Sequence, residues 1–343
     1  MTGVAFTTNA NQRDHAVPDH PEGPERVDAI LRLLDSSGLR SSLDEVATRE
    51  ATDEELSWVH DRRLIEVLDN ACREGGGWFD PDTYVRPGSC AAARAAAGGC
   101  LEATEAVLSG RARSAFCAVR PPGHHARPVQ CMGFCLVNNI ALCAEYARRR
   151  HGLERIAIVD IDVHHGNGTQ DAFYDDPGVL YVSTHQYPFY PGTGPASETG
   201  DGAGAGTNVN IPLPAGSGDR EYALTFEQLV EPVVRRYRPQ MLLVSCGFDA
   251  HFSDPLAGMT LSVDGYGAMA ERLVALSEEL CDGRLLFALE GGYDLDAVAW
   301  GVRRVLEVLL ALPRTPDPHG ALEPGPSPHV EPLLAELQSL HGL

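Results

Sequence analysis

Two stretches place ionisable side chains where an apolar run stops. CAVRPPGHHA (117–126) passes from apolar residues through Pro121-Pro122-Gly123 into adjacent His124 and His125. Neighbouring imidazoles repel when both are charged, so a pair at a strand end suits proton transfer with unequal rings. One ring can take a proton from water and give it to a leaving amine; the other can stay charged. DIDVHHGNGT (160–169) is the second stretch. Alternation in an extended chain puts Asp160, Asp162 and His164 on one face. On a buried strand such groups call for a cation. Asp162 and His164 are candidate ligands, and Asp249, at the end of MLLVSCGFDA, is the candidate third. Three ligands leave a position for water, as in a catalytic zinc site. The oxygen and nitrogen donors also admit iron(II) or cobalt(II). The spacing does not match a calcium loop.

The histidines need partners, and Asp160 and Asn167 are available. A carboxylate raises an imidazole pKa much more than a neutral amide does. Tyr293 follows Glu290-Gly291-Gly292, a flexible turn that can bring a phenol to a carbonyl oxygen as charge builds there.

These residues need a frame that brings distant stretches together. Apolar runs occur at 114–120, 155–163, 179–185, 241–250 and 284–293. Continuous Val/Ile/Leu runs of this length predict strands buried on both faces. Helical patterns lie between several of them, at 89–109 with Ser89 as N-cap, 136–150, 219–237 and 264–281. Strands alternating with helices predict an α/β protein with a parallel sheet covered on both sides. In such sheets, sites gather beyond the carboxyl ends of the strands. The polar ends here carry His124 and His125, Asp160 to His165, Ser183 and His185, Asp249 and His251, and Glu290 and Tyr293. Residues 187–218, rich in Gly and Pro, read as one long loop. Residues 1–312 read as a single catalytic domain. Residues 313–343 read as a proline-rich linker and an amphipathic C-terminal helix that packs on it.

Composition narrows the function. All 27 basic residues are arginine, which excludes Schiff-base and phosphate-loop chemistry that needs lysine. The net charge of −21 opposes nucleic-acid binding and favours cationic ligands. Nine cysteines without a C-x-x-C pair predict reduced, mostly buried thiols and a cytoplasmic setting. Neither a signal pattern nor a membrane span is expected.

The motifs HPEGPER (20–26), RPPGHHA (120–126), GFCLVNN (133–139), DIDVHHGNGTQDAF (160–173), PGTG (191–194), GFDAHFSDPLAGM (247–259) and LEGGYD (289–294) span most of the chain. Together they resemble the histone deacetylase family of the arginase/deacetylase fold. The closer likeness is to its class II and bacterial amidohydrolase-like members. The resemblance implies a three-layer α/β/α domain around an eight-stranded, mostly parallel sheet, and one zinc ion on Asp162, His164 and Asp249. It implies His125 as general base and acid, His124 as its electrostatic neighbour, Asp160 and Asn167 as their respective partners, and Tyr293 as the group that polarises the acyl carbonyl. Gly133, Phe134, Tyr190 and Leu256 correspond to the substrate tunnel. Potassium is implied at two sites, one at Asp160, Asp162, His164, Ser183 and Thr184, the other at Phe173, Asp176 and Val179.

Two departures bear on substrate. The entrance aspartate of class I has no clear counterpart in FDPDTYVRPGS, where Asp80 and Asp82 are the candidates. Leu256 stands where a polyamine-selective relative carries glutamate. The expected activity is deacetylation of an acetyl-lysine-type side chain, by a dimer, a tetramer or a single chain. The alternatives are hydrolysis of an acetylated polyamine or small acylated metabolite, arginase-like ureohydrolysis, and a non-catalytic acyl-binding module.

Overall fold

The computed structural model describes residues 3–322 and 329–343. The apolar runs supply the middle of a sheet, and shorter segments extend it at both sides. In chain order the strands are β1 (Val4–Thr7), β2 (Asp44–Glu45), β3 (Gly77–Trp78), β4 (Tyr84–Val85), β5 (Ser114–Cys117), β6 (Ile156–Asp160), β7 (Val179–Gln186), β8 (Asn208–Leu213), β9 (Met241–Cys246) and β10 (Leu285–Leu289). Eight of them form one sheet in the order β2-β1-β5-β10-β9-β6-β7-β8, and every pairing in it is parallel. β3 and β4 form a separate antiparallel hairpin.

The helices are α1 (Glu25–Ser36), α2 (Asp53–Leu56), α3 (Arg62–Arg73), α4 (Ser89–Leu108), α5 (Asn139–His151), α6 (Asn167–Phe173), α7 (Asp219–Thr225), α8 (Glu231–Tyr237), α9 (Val263–Leu280), α10 (Leu295–Leu309) and α11 (Glu331–His341). Strand alternation sorts them into two layers. Ala157 and Val159 of β6 face a core shared with α1, α7 to α11 and the π turn Phe226–Val230. Ile156 and Ile158 face a second core built from the alanine- and cysteine-rich faces of α4 and α5. α11 returns to the first layer, where Leu334 and Leu337 are buried and Gln338 Nε2 donates to Gln228 O. No helix among the described residues is long and apolar enough to cross a membrane.

Four sequence expectations need correction. The segment 187–218 is not one loop, because it contains the edge strand β8. Val209, Ile211 and Leu213 point to the core while Asn208 and Asn210 bond Gln170, and Pro212 sits where an edge strand tolerates it. Ser89 is not the cap of α4. Gly88 holds that position, and the Ser89 hydroxyl accepts from Arg86 N instead. The nine cysteines are not all free: Cys72 and Cys90 form a disulfide between α3 and α4. The other seven are buried thiols. Last, β6 stops at Asp160, so pleating does not carry Asp162 and His164 to the site. Side-chain-to-backbone hydrogen bonds do, as described next.

Candidate active site

The C-terminal ends of β5, β6, β9 and β10 open onto one buried cluster. After β6 the chain turns twice on its own carboxylates. Asp160 Oδ1 accepts from Asp162 N (3.2 Å), and Asp162 Oδ1 accepts from His164 N (2.9 Å). Asp249, beyond β9, ties this turn to its own loop by accepting from Val163 N (3.0 Å). One donor atom from each of Asp162, His164 and Asp249 lies within 4.8 Å of the others, and all three residues are buried.

The cluster suits a cation. His164 Nδ1 lies 3.2 Å from Asp162 Oδ1 and 3.1 Å from Asp249 Oδ2. Burial opposes charge on this ring, yet hydrogen bonds and charge from the two aspartates outweigh it and raise its pKa to about 10. The carboxylates thus draw a proton to the place where a divalent ion would sit. Glycine leaves the room: a Cβ on Gly291 would come within 2.1 Å of Asp249 Oδ2 and 2.7 Å of Asp162 Oδ2. Gly291 N also donates to Asp162 Oδ2 at 2.7 Å.

The histidine pair faces this cluster, with ring centroids 4.0 Å apart. His124 Nδ1 lies 3.0 Å from Asp160 Oδ2, and His125 Nδ1 lies 2.9 Å from Asn167 Oδ1. Their surroundings drive the two pKa values apart. Burial lowers the pKa of His124, but the charges of Asp162 and Asp160 reverse this and lift it to about 10. His125 is pushed well below its usual value by burial, then by the neighbouring His124 and His164. Tyr181 OH donates to the same Asp160 oxygen (3.0 Å) and holds that carboxylate from behind. Glu290 secures the loop: its Oε2 accepts from Gly123 N (2.7 Å) and His124 N (3.1 Å), and its Oε1 from Ser245 Oγ (3.1 Å).

Aromatic rings wall the approach. Phe134 packs edge-on to Tyr293 at 5.7 Å, and Tyr190 packs edge-on to His125 at 5.2 Å and to His164 at 5.9 Å. Gly133 has φ +56, and a Cβ there would meet His125 Cδ2 at 2.5 Å. Tyr293 is gripped from behind, where Arg26 donates to Gly292 O and its guanidinium lies 5.0 Å from the ring centroid. The Tyr293 phenol is pushed well above its usual range by burial first; Arg26 opposes this, and Asp249 and Asp162 add to it. At the mouth, Thr83 Oγ1 accepts from Phe134 N (3.0 Å) and Asp80 Oδ1 from Thr83 N (2.6 Å). Leu256 N donates to Asp254 Oδ1.

Other named residues lie apart from this centre or are engaged elsewhere. Ser183 Oγ is 2.9 Å from His185 Nδ1, and the Thr184 hydroxyl donates to Asp160 O. Phe173, Asp176 and Val179 lie where α6 ends and β7 begins, with the Asp176 side chain bound to Arg148. Sequence reasoning missed Phe189, whose ring stacks on His164 at 5.5 Å. It also gave no role to Glu22, Arg26 and Arg120, a fully buried ion cluster under the tyrosine turn. HPEGPER carried that signal, but nothing in the sequence pairs it with residue 120.

Residues 20–309 match the histone deacetylase domain. The chain belongs to the histone deacetylase family. It is 42% identical to a probable deacetylase of Archaeoglobus fulgidus over 298 residues, covering 86% of this chain and 82% of the relative. It is 41% identical to a histone deacetylase-like amidohydrolase of Pseudomonas aeruginosa, over 86% and 78% of the two chains. A solved structure, that of the HDA15 HD domain, superposes with a TM-score of 0.89 at 35% identity, over 99% of this chain and 95% of that one. The fold is the arginase/deacetylase fold of that family, and the chain is a hydrolase acting on acetyl amides.

Proposed function

We propose that the chain is a zinc-dependent deacetylase whose substrate is an acetyl-lysine-type side chain. The observation that carries this reading is the buried Asp162–His164–Asp249 cluster, faced by two imidazoles with unlike partners. The ion, when bound, supplies Lewis acidity that activates attacking water and polarises the acyl carbonyl. Iron(II) or cobalt(II) fits the same donors.

The chain's own groups do the rest. His125, kept neutral by burial and by its charged neighbour, takes the proton of the attacking water at Nε2 and passes it to the leaving amine. His124, held charged against Asp160, stabilises the negative charge that develops. The Tyr293 phenol, too weak an acid to ionise, donates a hydrogen bond to the acyl oxygen. Phe134 and Tyr190 flank a slender acyl chain and shed water from it, with Gly133 and Leu256 completing the walls. The potassium sites named above belong to the same reading, and nothing in the chemistry is routed through them.

The test is deacetylation of a fluorogenic acetyl-lysine peptide by zinc-loaded protein, beside Tyr293→Phe and His125→Ala. Activity in the wild type and losses of about a hundredfold or more in both variants are expected. The acidic net charge, with Asp80 and Asp82 at the mouth, favours one rival, an acetylated polyamine. A preference of about tenfold in kcat/KM for N-acetylputrescine over the peptide would decide for it.

A further inference from the structure

Asp254 has no part in the chemistry above, yet its buried carboxylate accepts three backbone N–H groups from two loops. Oδ2 accepts from Tyr293 N at 2.7 Å and from Asp294 N at 3.3 Å. Oδ1 accepts from Leu256 N at 2.9 Å. We propose that Asp254 is a positioning residue that locks Tyr293 to Leu256, so that the tunnel wall and the carbonyl-polarising phenol move as one unit. The proposal rests on the roles given to those two residues under the deacetylase reading.

The geometry leaves little slack. Asp254 is anchored through its own N–H to His251 O (2.9 Å), two residues beyond Asp249. Asp294 is anchored in turn as the cap of α10, its carboxylate accepting from Ala297 N (2.8 Å). The two residues before Tyr293 are glycines, and Gly292 has φ +111, a conformation that costs glycine little. A tyrosine after two glycines has no stiffness of its own. Arg26 holds the turn from one side, through Gly292 O, and Asp254 holds the Tyr293 amide from the other. A displacement of about 1 Å in a group that must meet the developing charge costs on the order of a hundredfold in rate. The same carboxylate fixes the Leu256 amide, so substrate contact at the tunnel wall and phenol placement share one anchor.

A double-mutant cycle tests the coupling. Asp254→Ala is expected to lower kcat on the acetyl-lysine peptide by about tenfold or more, with zinc content per chain unchanged. In a Tyr293→Phe background the same substitution is expected to have little further effect. Asp254→Asn, whose amide oxygen still accepts from Tyr293 and Asp294, is expected to restore most of the lost kcat while KM rises. Equal losses in both backgrounds, a loss of zinc, or no rescue by Asn would overturn the proposal.

Hydrogen exchange supplies a readout that does not need turnover. Asp254→Ala is expected to speed exchange in both 255–258 and 291–294. Acceleration in only one loop, or in neither, overturns the coupling. If Asp254→Ala does not fold, Asp254→Ser takes its place in both experiments. If wild type hydrolyses no acetyl amide, the deacetylase reading fails, and the exchange result still decides whether the two loops share an anchor.

Discussion

His125 Nδ1 rests 2.9 Å from Asn167 Oδ1, whereas its neighbour His124 rests 3.0 Å from the carboxylate of Asp160. A neutral partner orients His125 without holding a proton on it, which a general base needs. Asn167→Asp keeps the geometry and adds charge. An adjacent carboxylate raises an imidazole pKa by about one unit or more. The acidic limb of the pH profile of kcat/KM is expected to move upward by about that amount. An unmoved limb would mean that His125 is not the base.

Gly133 is a second point of control. Its φ is +56, and an added Cβ would lie 2.5 Å from His125 Cδ2. Gly133→Ala is expected to displace the ring and lower kcat by about tenfold or more. It is also expected to cost about 1–3 kcal/mol of stability, read from urea unfolding. Retained activity would show that the ring can yield without consequence.

Removing the metal tests the donor set. Treatment with a chelator is expected to abolish turnover, and one equivalent of zinc to restore it. Asp249→Asn removes one carboxylate from the cluster and is expected to lower bound zinc per chain, measured by atomic spectroscopy. Full zinc occupancy in that variant would exclude Asp249 as a ligand.

A histidine outside the site contributes to acid stability. His60 Nε2 accepts from Asn138 N at 2.9 Å while Nδ1 lies 3.1 Å from Arg127 O, so the buried ring is neutral. Burial lowers its pKa to about 4, with the bond to Arg127 opposing. The folded pKa lies below the unfolded one. The unfolded chain therefore binds more protons below about pH 6.5, and stability falls as pH drops toward 4. Between pH 7 and pH 5 this one ring is expected to cost about 2 kcal/mol. His60→Gln, though less stable at pH 7, should lose that much less over the same interval in denaturant titrations. An unchanged pH slope would refute the assignment.

The sheet was largely legible because strands buried on both faces write themselves as unbroken apolar runs. The clustering of Asp162, His164 and Asp249 was legible because polar residues interrupt those runs at the same end. The edges were not. β2 is only two residues long, beside a four-residue β1, and β8 hides its alternation among Asn208, Asn210 and Pro212. The support of the site was also invisible. Asp254 and Glu290 act on backbone N–H groups, which every residue but proline carries, so their partners leave no mark in the sequence. Asp162 and His164 do come together, but not by strand alternation. Self-capping turns, not pleating, aim them.

Those turns have a consequence for the fold. Asp162 accepts from His164 N and Gly291 N, and Asp249 accepts from Val163 N. Three main-chain N–H groups therefore hold both carboxylates in place. The pocket is a mould cast by the polypeptide. The fold is therefore expected to persist after treatment with a chelator, read from an unchanged far-UV circular dichroism spectrum.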